Sequence, residues 1–290
     1  MNSDKSGAIG PPDRLASAPD PLASGRSGRL WLGVRAAFAG LGFALRHRRV
    51  LLHALLAVVV YVAVWAVVVW QAAAHSDAVI LPLLGPKGAQ WWQAVGWDAL
   101  YILALIAWWL GALILAFVVA TPLMAPFFSL LAEAAEVAFY GTPPRSIDLK
   151  TRIREMTAAV GRAAVLATVQ IVGALLIWAV CAAIGLIFPP AGAFLGAVLG
   201  GLWSSLWYAM LAVSHALENH HVPLGVQLNL PSRMGSLLLG TGLVGQLLAW
   251  FPPAIPFVVV GASVLVFRLE QHGHVGLSLR AKDAKDGRAS

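Results

Sequence analysis

Long apolar runs alternate along the chain with short polar and basic segments. Four of these runs, residues 50–73, 98–120, 163–188 and 191–217, have no Lys, Arg, Asp or Glu in their central parts. A helix needs roughly 20 residues to cross the ~30 Å hydrocarbon core of a bilayer, so each run is long enough to span it. The pattern predicts an all-α integral membrane protein with about four long transmembrane helices.

A fifth apolar region, residues 237–267, contains three prolines. Pro252 and Pro253 divide it, and Pro256 follows three residues after Pro253. At ~1.5 Å per residue each half would be only about 21–23 Å long, so neither half spans a bilayer alone. The region is either one kinked crossing helix or a hairpin of two short helices that enters from one side.

The distribution of basic residues decides between these alternatives. Eight Lys and Arg precede the first run, one lies in the loop predicted for residues 74–97, five lie in 121–162 and five follow residue 267. The positive-inside rule therefore places the N-terminus, segment 121–162 and the C-terminus in the cytoplasm. Because four crossings already return the chain to that side, we expect region 237–267 to be a partly penetrating hairpin.

Both ends of the chain differ in composition from the membrane domain predicted for residues 29–269. Residues 1–28 are rich in Pro, Ser and Gly and predict a disordered tail, and residues 270–290 predict a basic, flexible tail. No signal peptide is expected. Residues 29–49 predict an amphipathic helix in the cytoplasmic interface. Its apolar stripe comprises Trp31, Val34, Phe38, Leu41 and Leu45.

Composition excludes several classes of protein. The chain is 59% hydrophobic and 11% charged, far from the balance of a soluble enzyme. The single cysteine, Cys181, excludes an internal disulfide. The net charge of +7 comes from basic residues that flank apolar runs, which favours membrane topology over nucleic-acid binding.

A polar stripe follows the second run. Ser129, Glu133, Glu136 and Tyr140 are spaced by four, three and four residues, so they share one face of a helix. The stripe either faces the cytoplasm from an interfacial helix or lines a polar path in which the glutamates pair with arginines.

A cationic helix is predicted for residues 147–162. Lys150, Arg152, Arg154 and Arg162 surround its apolar stripe. These charges suit either anionic lipid head groups or a small oxyanion, since guanidinium binds oxyanions in bidentate fashion.

The spacing Pro-x-x-x-Pro-Phe occurs at residues 122–127 and again at 252–257. This repetition indicates two helix breaks in an internal pseudo-repeat.

The sequence gives little support for an enzyme. Hydrolase and nucleotide-binding motifs are missing from the sequence. His215, Glu218, His220 and His221 are close in sequence, but histidines at a helix end near the interface are the more ordinary interpretation than a metal site. We expect no enzyme, no metal and no cofactor.

Two motifs carry a family resemblance. The segment Ala-Pro126-Phe127 followed by Leu-Leu-Ala-Glu133-x-x-Glu136, and the later Glu218-Asn219-His220, resemble elements of the CysZ sulfate-permease family, which shares its domain with the eukaryotic etoposide-induced transmembrane protein. The resemblance covers roughly residues 33–267. Phe128 and Ile255 stand where the family pattern has Asn.

The resemblance implies a bacterial inner-membrane permease that forms homo-oligomers, contacts lipids and takes up sulfate for cysteine biosynthesis. It also implies basic residues near the cytoplasmic end of the path. We expect Glu133 and Glu136 to hold arginines or to gate the path, because they cannot bind a dianion themselves. The residues expected to attract the anion are Arg48, Arg49, Arg152 and Arg154. The alternative is a non-transporting membrane organiser.

Overall fold

A computed structural model describes residues 20–141, 148–220, 222–249 and 251–274, and these ranges contain helices and no strands. We number the α-helices in chain order. They are α1 (Arg26–Arg46), α2 (Arg48–Leu84), α3 (Trp91–Tyr140), α4 (Leu149–Ile187), α5 (Pro189–Glu218), α6 (Leu224–Leu228), α7 (Leu230–Ala249) and α8 (Ile255–Gln271). A 3-10 turn, Pro252–Ala254, joins α7 to α8.

The all-α membrane architecture is confirmed, and each of the four predicted runs lies in its own helix, α2 to α5. Among the described residues, five helical segments are long and apolar enough to cross a membrane. The additional segment, Val119–Tyr140, is the second half of α3. The predicted number of four therefore missed this segment, because its polar stripe suggested an interfacial helix.

The predicted loop at residues 74–97 is wrong. α2 continues to Leu84 and α3 begins at Trp91, so only a short connection remains. Gly85 ends α2 with a φ of 67°, a conformation that glycine adopts at little cost. A salt bridge of 2.7 Å ties Lys87, in this connection, to Asp98 on α3. Most polar residues of segment 74–97 lie on the last turns of α2 or the first turns of α3. Residue polarity alone does not distinguish such helix ends from a loop.

The predicted helix break at residues 122–127 is also wrong. α3 passes through Pro122 and Pro126 without interruption and ends only at Gly141, in the left-handed conformation. Membrane helices tolerate proline because neighbouring groups can satisfy the freed carbonyls. Only the second Pro-x-x-x-Pro-Phe segment interrupts a helix, at Pro252–Ala254, so the pseudo-repeat is not supported.

The cationic helix and the third apolar run form one helix, α4. Asp148 caps its N-terminus by accepting a hydrogen bond from the Thr151 backbone N–H at 3.1 Å, and the hydrogen bonds from Thr151 lower the pKa of this carboxyl. α4 and α5 then pack as a hairpin with a sharp turn at Phe188. Pro189 and Pro190 suit the first turn of α5, where backbone N–H groups lack helical partners.

Helix α1 packs lengthwise against both helices of the C-terminal hairpin, α7 and α8. Its buried residues are Gly33, Ala37, Gly40 and Ala44. We call this face of α1 the small-residue seam. Side chains of the predicted apolar stripe are largely exposed instead, with Trp31, Phe38 and Leu45 each more than half accessible. This outcome suits a membrane, where large apolar side chains face lipid and small residues let helices approach closely.

The two ends of the described chain meet. His274 Nε2, just beyond α8, lies 2.7 Å from Asp20 Oδ1, just before α1. A hydrogen bond from the Leu22 backbone N–H, together with His274, lowers the pKa of Asp20. Residues 20–28 of the predicted tail thus form a turn and the start of α1, while residues 1–19 and 275–290 lie outside the described residues.

Candidate functional site

Polar side chains from α3, α4 and α5 converge on a cavity of about 40 Å³. α3 contributes Ser129 and Glu133, α4 contributes Arg152, Glu155 and Arg162, and the end of α5 contributes Glu218. The remaining lining residues are Pro126, Leu130, Met156, Ala159 and Asn219. We call this the Arg–Glu cavity. It brings together residues that are separated by up to 93 positions in the chain.

Glu218 is the most enclosed charged group of the Arg–Glu cavity. Its side chain is 2% exposed, and Arg162 Nε lies 3.8 Å from its Oε1. Its other oxygen, Oε2, accepts a hydrogen bond from Ser129 Oγ at 3.3 Å and lies 3.7 Å from His215 Nδ1. A buried carboxylate is costly unless it is paired, and three neighbouring side chains surround this one.

The two glutamates of the polar stripe have different partners. Glu133 Oε2 lies 3.6 Å from Arg152 Nη2, the kind of arginine pair that the sequence predicts. Glu136 is buried, and its Oε2 lies 3.4 Å from His220 Nε2. These contacts therefore connect α3 both to α4 and to the segment that follows α5.

The family motif residues lie at this junction. Asn219 Nδ2 donates a hydrogen bond to the Ser129 carbonyl oxygen at 3.1 Å and so ties the end of α5 to α3. Pro126 is buried in the wall of the Arg–Glu cavity, and the half-buried Phe127 packs against the core. Tyr140 ends the stripe, and its hydroxyl donates to Glu270 Oε2 on α8 at 2.5 Å.

Three of the four arginines expected to attract an anion do not line the Arg–Glu cavity. Arg154 is exposed on α4, and Arg48 and Arg49 are exposed at the start of α2. Trp108 of α3 donates its Nε1–H to the Ala72 carbonyl oxygen of α2. α2 and α3 run antiparallel, so Arg48, which precedes Ala72 by 24 residues, lies level with Ala132, which follows Trp108 by 24 residues. Arg48 and Arg49 therefore lie at the level of the Arg–Glu cavity but do not line it.

Sequence reasoning did not assign Arg162 and His215 to this site. Arg152, Glu155, Ala159 and Arg162 follow one another at spacings of three, four and three residues and line the same cavity. This spacing was a local signal that could have identified Arg162. The spacing of three residues between His215 and Glu218 was likewise a local signal for their contact, because residues i and i+3 share one face of a helix.

The pairing distances define what the site can do chemically. At 3.6 and 3.8 Å the two Arg–Glu pairs are longer than a direct charge-assisted hydrogen bond of ~2.7–2.9 Å. Arg162 Nε is buried and makes no hydrogen bond to the described residues. The guanidinium groups therefore retain donor capacity towards a small anion that could enter between them.

The part of the chain that the structure describes holds no group of three His, Cys, Asp or Glu suited to a metal ion. His215 and His220 face different carboxylates, and His221 lies outside the described residues. The two departures from the family pattern are both buried. Phe128 packs 5.3 Å from the His215 ring, and Ile255 begins α8.

A family model described as sulfate transporter CysZ/etoposide-induced protein 2.4 matches residues 36–259. The match covers most of the chain, and the chain therefore belongs to this family. It includes all of α2 to α7 and so contains the whole Arg–Glu cavity. A search of curated proteins found no matching protein.

Proposed function

We propose that the protein is a permease for a small oxyanion, namely sulfate that is taken up for cysteine biosynthesis. The observation that carries this proposal is the Arg–Glu cavity, where two guanidinium groups from one helix face a polar space in a membrane protein of this family. Guanidinium groups bind tetrahedral oxyanions with good geometry, and they keep their charge at every physiological pH.

In this proposal Glu133 and Glu218 position the arginines when no anion is present. An entering oxyanion replaces the long carboxylate contacts of 3.6 and 3.8 Å with shorter ones to Arg152 and Arg162. The exposed Arg48 and Arg49 raise the local anion concentration at the same depth. Arg154 is left out of the route because it points away from the Arg–Glu cavity.

Glutamine substitutions test the role of the two arginines in cells that lack their own sulfate uptake. Arg162→Gln and Arg152→Gln are each expected to lower labelled-sulfate uptake at least about 10-fold, because each removes a charge-assisted contact of about 1.5–3 kcal/mol. Arg154→Gln, on the same helix, is the matched control and should transport like the wild type. Equal uptake by all three variants would remove the Arg–Glu cavity from the transport route.

We also propose that the protein lies in the bacterial inner membrane with both ends in the cytoplasm. The contact between Asp20 and His274 supports a common compartment for both ends. α8 has 17 residues and a length of about 25 Å, which is shorter than the ~30 Å hydrocarbon core. The α7–α8 hairpin then enters from the cytoplasm and returns to it.

Cysteine labelling tests this orientation in a Cys181→Ala background. Ala23→Cys and Gln271→Cys should react with a membrane-impermeant maleimide only after cells are permeabilised. Ala89→Cys, in the exposed connection between α2 and α3, should react in intact cells. Labelling of Gln271→Cys in intact cells would show that the C-terminal region crosses the membrane completely.

A second candidate function, a non-transporting membrane organiser, is favoured by the charge of the site. Three glutamates but only two arginines line the Arg–Glu cavity. Phe128 also fills the space in front of His215 with an apolar ring. An organiser would act through the exposed stripe of α1 and would leave sulfate uptake at background while lipid or partner binding depended on Trp31 and Phe38.

A further inference from the structure

A groove of about 500 Å³ lies between residues 67–75 of α2 and residues 107–115 of α3, and we call it the α2–α3 groove. Sites for small organic ligands typically have volumes of about 300–1,000 Å³, so a molecule of that size fits here. Small residues leave the space open. They are Ala72 on α2 and Ala107, Gly111 and Ala112 on α3. A Cβ atom on Gly111 would meet nothing within 4 Å, so none of the described side chains fills the groove at this point.

The α2–α3 groove lies at the end of the membrane crossing that is opposite to Arg48. Val67 and His75, at its two ends, follow Arg48 by 19 and 27 residues, or about 28 and 40 Å along α2. The hydrocarbon core is ~30 Å thick, and the bilayer with its head groups measures about 40–45 Å. Trp70 is 66% exposed at this level, as expected of tryptophan at a membrane–water interface. The Val67 end therefore borders the acyl chains, and the His75 end lies among the head groups.

The polarity of the α2–α3 groove changes in the same direction. Val67, Val68 and Leu115 line the end that borders the acyl chains. Gln71 and His75 line the other end, and they are the polar residues among those that the structure describes in the groove. An apolar space with two polar groups at the membrane surface fits an amphiphile, whose chain lies inside and whose polar end lies at the surface.

His75 indicates the kind of polar end that fits. Its Nδ1 lies 2.9 Å from the carbonyl oxygen of Gln71, one turn earlier on α2. When Nδ1–H donates to this oxygen, Nε2 of the neutral ring is left as a hydrogen-bond acceptor. An acceptor suits a primary ammonium group, which has three N–H donors, whereas a quaternary ammonium group has none. The side-chain amide of Gln71 can donate to a phosphate next to that ammonium group.

We propose that the α2–α3 groove binds one phosphatidylethanolamine molecule from the leaflet opposite to Arg48. An acyl chain lies beside Gly111, the ammonium group donates to His75 Nε2, and the amide of Gln71 donates to the phosphate. A second copy of the chain fits less well, because the groove extends over only about 12 Å of α2, or about two turns, and ends in polar groups. This inference concerns a bound lipid and does not rest on the transported ion.

Lipid titration of the purified protein, followed by native mass spectrometry, tests the head-group contact. The wild type should bind phosphatidylethanolamine about 10-fold more tightly than phosphatidylcholine, because only the former donates a hydrogen bond from its charged group. His75→Ala should weaken binding of phosphatidylethanolamine alone and so remove the preference. The matched control is His53→Ala on the same helix, whose Nδ1 has a similar contact with the Arg49 carbonyl oxygen outside the groove. It should keep the preference.

Gly111→Leu tests the acyl-chain position, because the leucine side chain enters the open groove. It should weaken binding of both lipids about 10-fold or more, since the leucine displaces several methylene groups of the bound chain. Gly96→Leu is the matched control on α3: a Cβ atom there also meets nothing within 4 Å, and Gly96 does not line the groove. Both variants should melt at or above the wild-type temperature, because leucine favours helix more than glycine.

Three results would each overturn the lipid site. They are equal wild-type affinity for the two lipids, a preference that survives His75→Ala, and unchanged lipid binding by Gly111→Leu. A wild-type oligomer that binds no lipid and dissociates in Gly111→Leu would also overturn it and would assign the groove to a second copy of the chain. Lipid binding that follows the expected pattern without any sulfate flux supports the lipid site and contradicts only the permease.

Discussion

Gly40→Ala is expected to detach α1 from the C-terminal hairpin and to destabilise the protein by about 3 kcal/mol, the upper range for overpacking. A Cβ atom on Gly40 would overlap the carbonyl oxygen of Phe257 and would also meet the backbone of Gly261. Backbone atoms of a packed helix cannot move aside as a flexible side chain can. The whole α1–α8 contact must therefore separate or shift.

The matched control for Gly40→Ala lies two residues further along the same helix. Gly42 is exposed, and a Cβ atom there would contact nothing within 4 Å. Because alanine favours helix more than glycine by up to about 1 kcal/mol, Gly42→Ala should be neutral or slightly stabilising. Melting in detergent, followed by size-exclusion chromatography, compares the two variants. Equal melting temperatures would mean that the small-residue seam does not hold α1.

Glu218→Gln is expected to destabilise the protein by about 3 kcal/mol. The substitution keeps the size of the side chain but leaves Arg162, whose Nε is buried, without its carboxylate. Breaking a buried ion pair from one side is far more costly than losing an exposed pair. The same melting assay provides the measurement.

Two further variants show whether the charge of Glu218 causes this effect. Asp98→Asn breaks the exposed pair with Lys87 and should cost less than about 1 kcal/mol. Combining Glu218→Gln with Arg162→Gln removes both charges and should recover part of the lost stability. A Glu218→Gln protein that melts together with Asp98→Asn would contradict the buried ion pair.

The apolar runs predicted the membrane helices well, because hydropathy over 20 residues reports directly on the surrounding lipid. The break at Pro252 and Pro253 was also correct, since α7 ends at Ala249 and α8 begins at Ile255. Proline was misleading at Pro122 and Pro126, where α3 continues. Proline interrupts the helix in one apolar region and not in the other, so whether it breaks a helix depends on the packing around that helix.

The candidate site was predicted only as separate stripes. The spacing of Ser129 and Glu133 located one wall of the Arg–Glu cavity, and the basic helix located another. Which residues meet depends on how α3, α4 and α5 pack, and no local pattern carries that information. The small-residue seam of α1 was missed because hydrophobic periodicity favours large side chains as the buried face, whereas a lipid environment reverses this preference.

Sulfate flux through liposomes that contain only the purified protein tests the central claim most directly. The account predicts that labelled sulfate enters these liposomes well above the rate in protein-free liposomes, and that Arg162→Gln lowers the flux while Arg154→Gln does not. Flux equal to that of protein-free liposomes, with protein that is folded and correctly inserted, would contradict the assignment as an oxyanion permease.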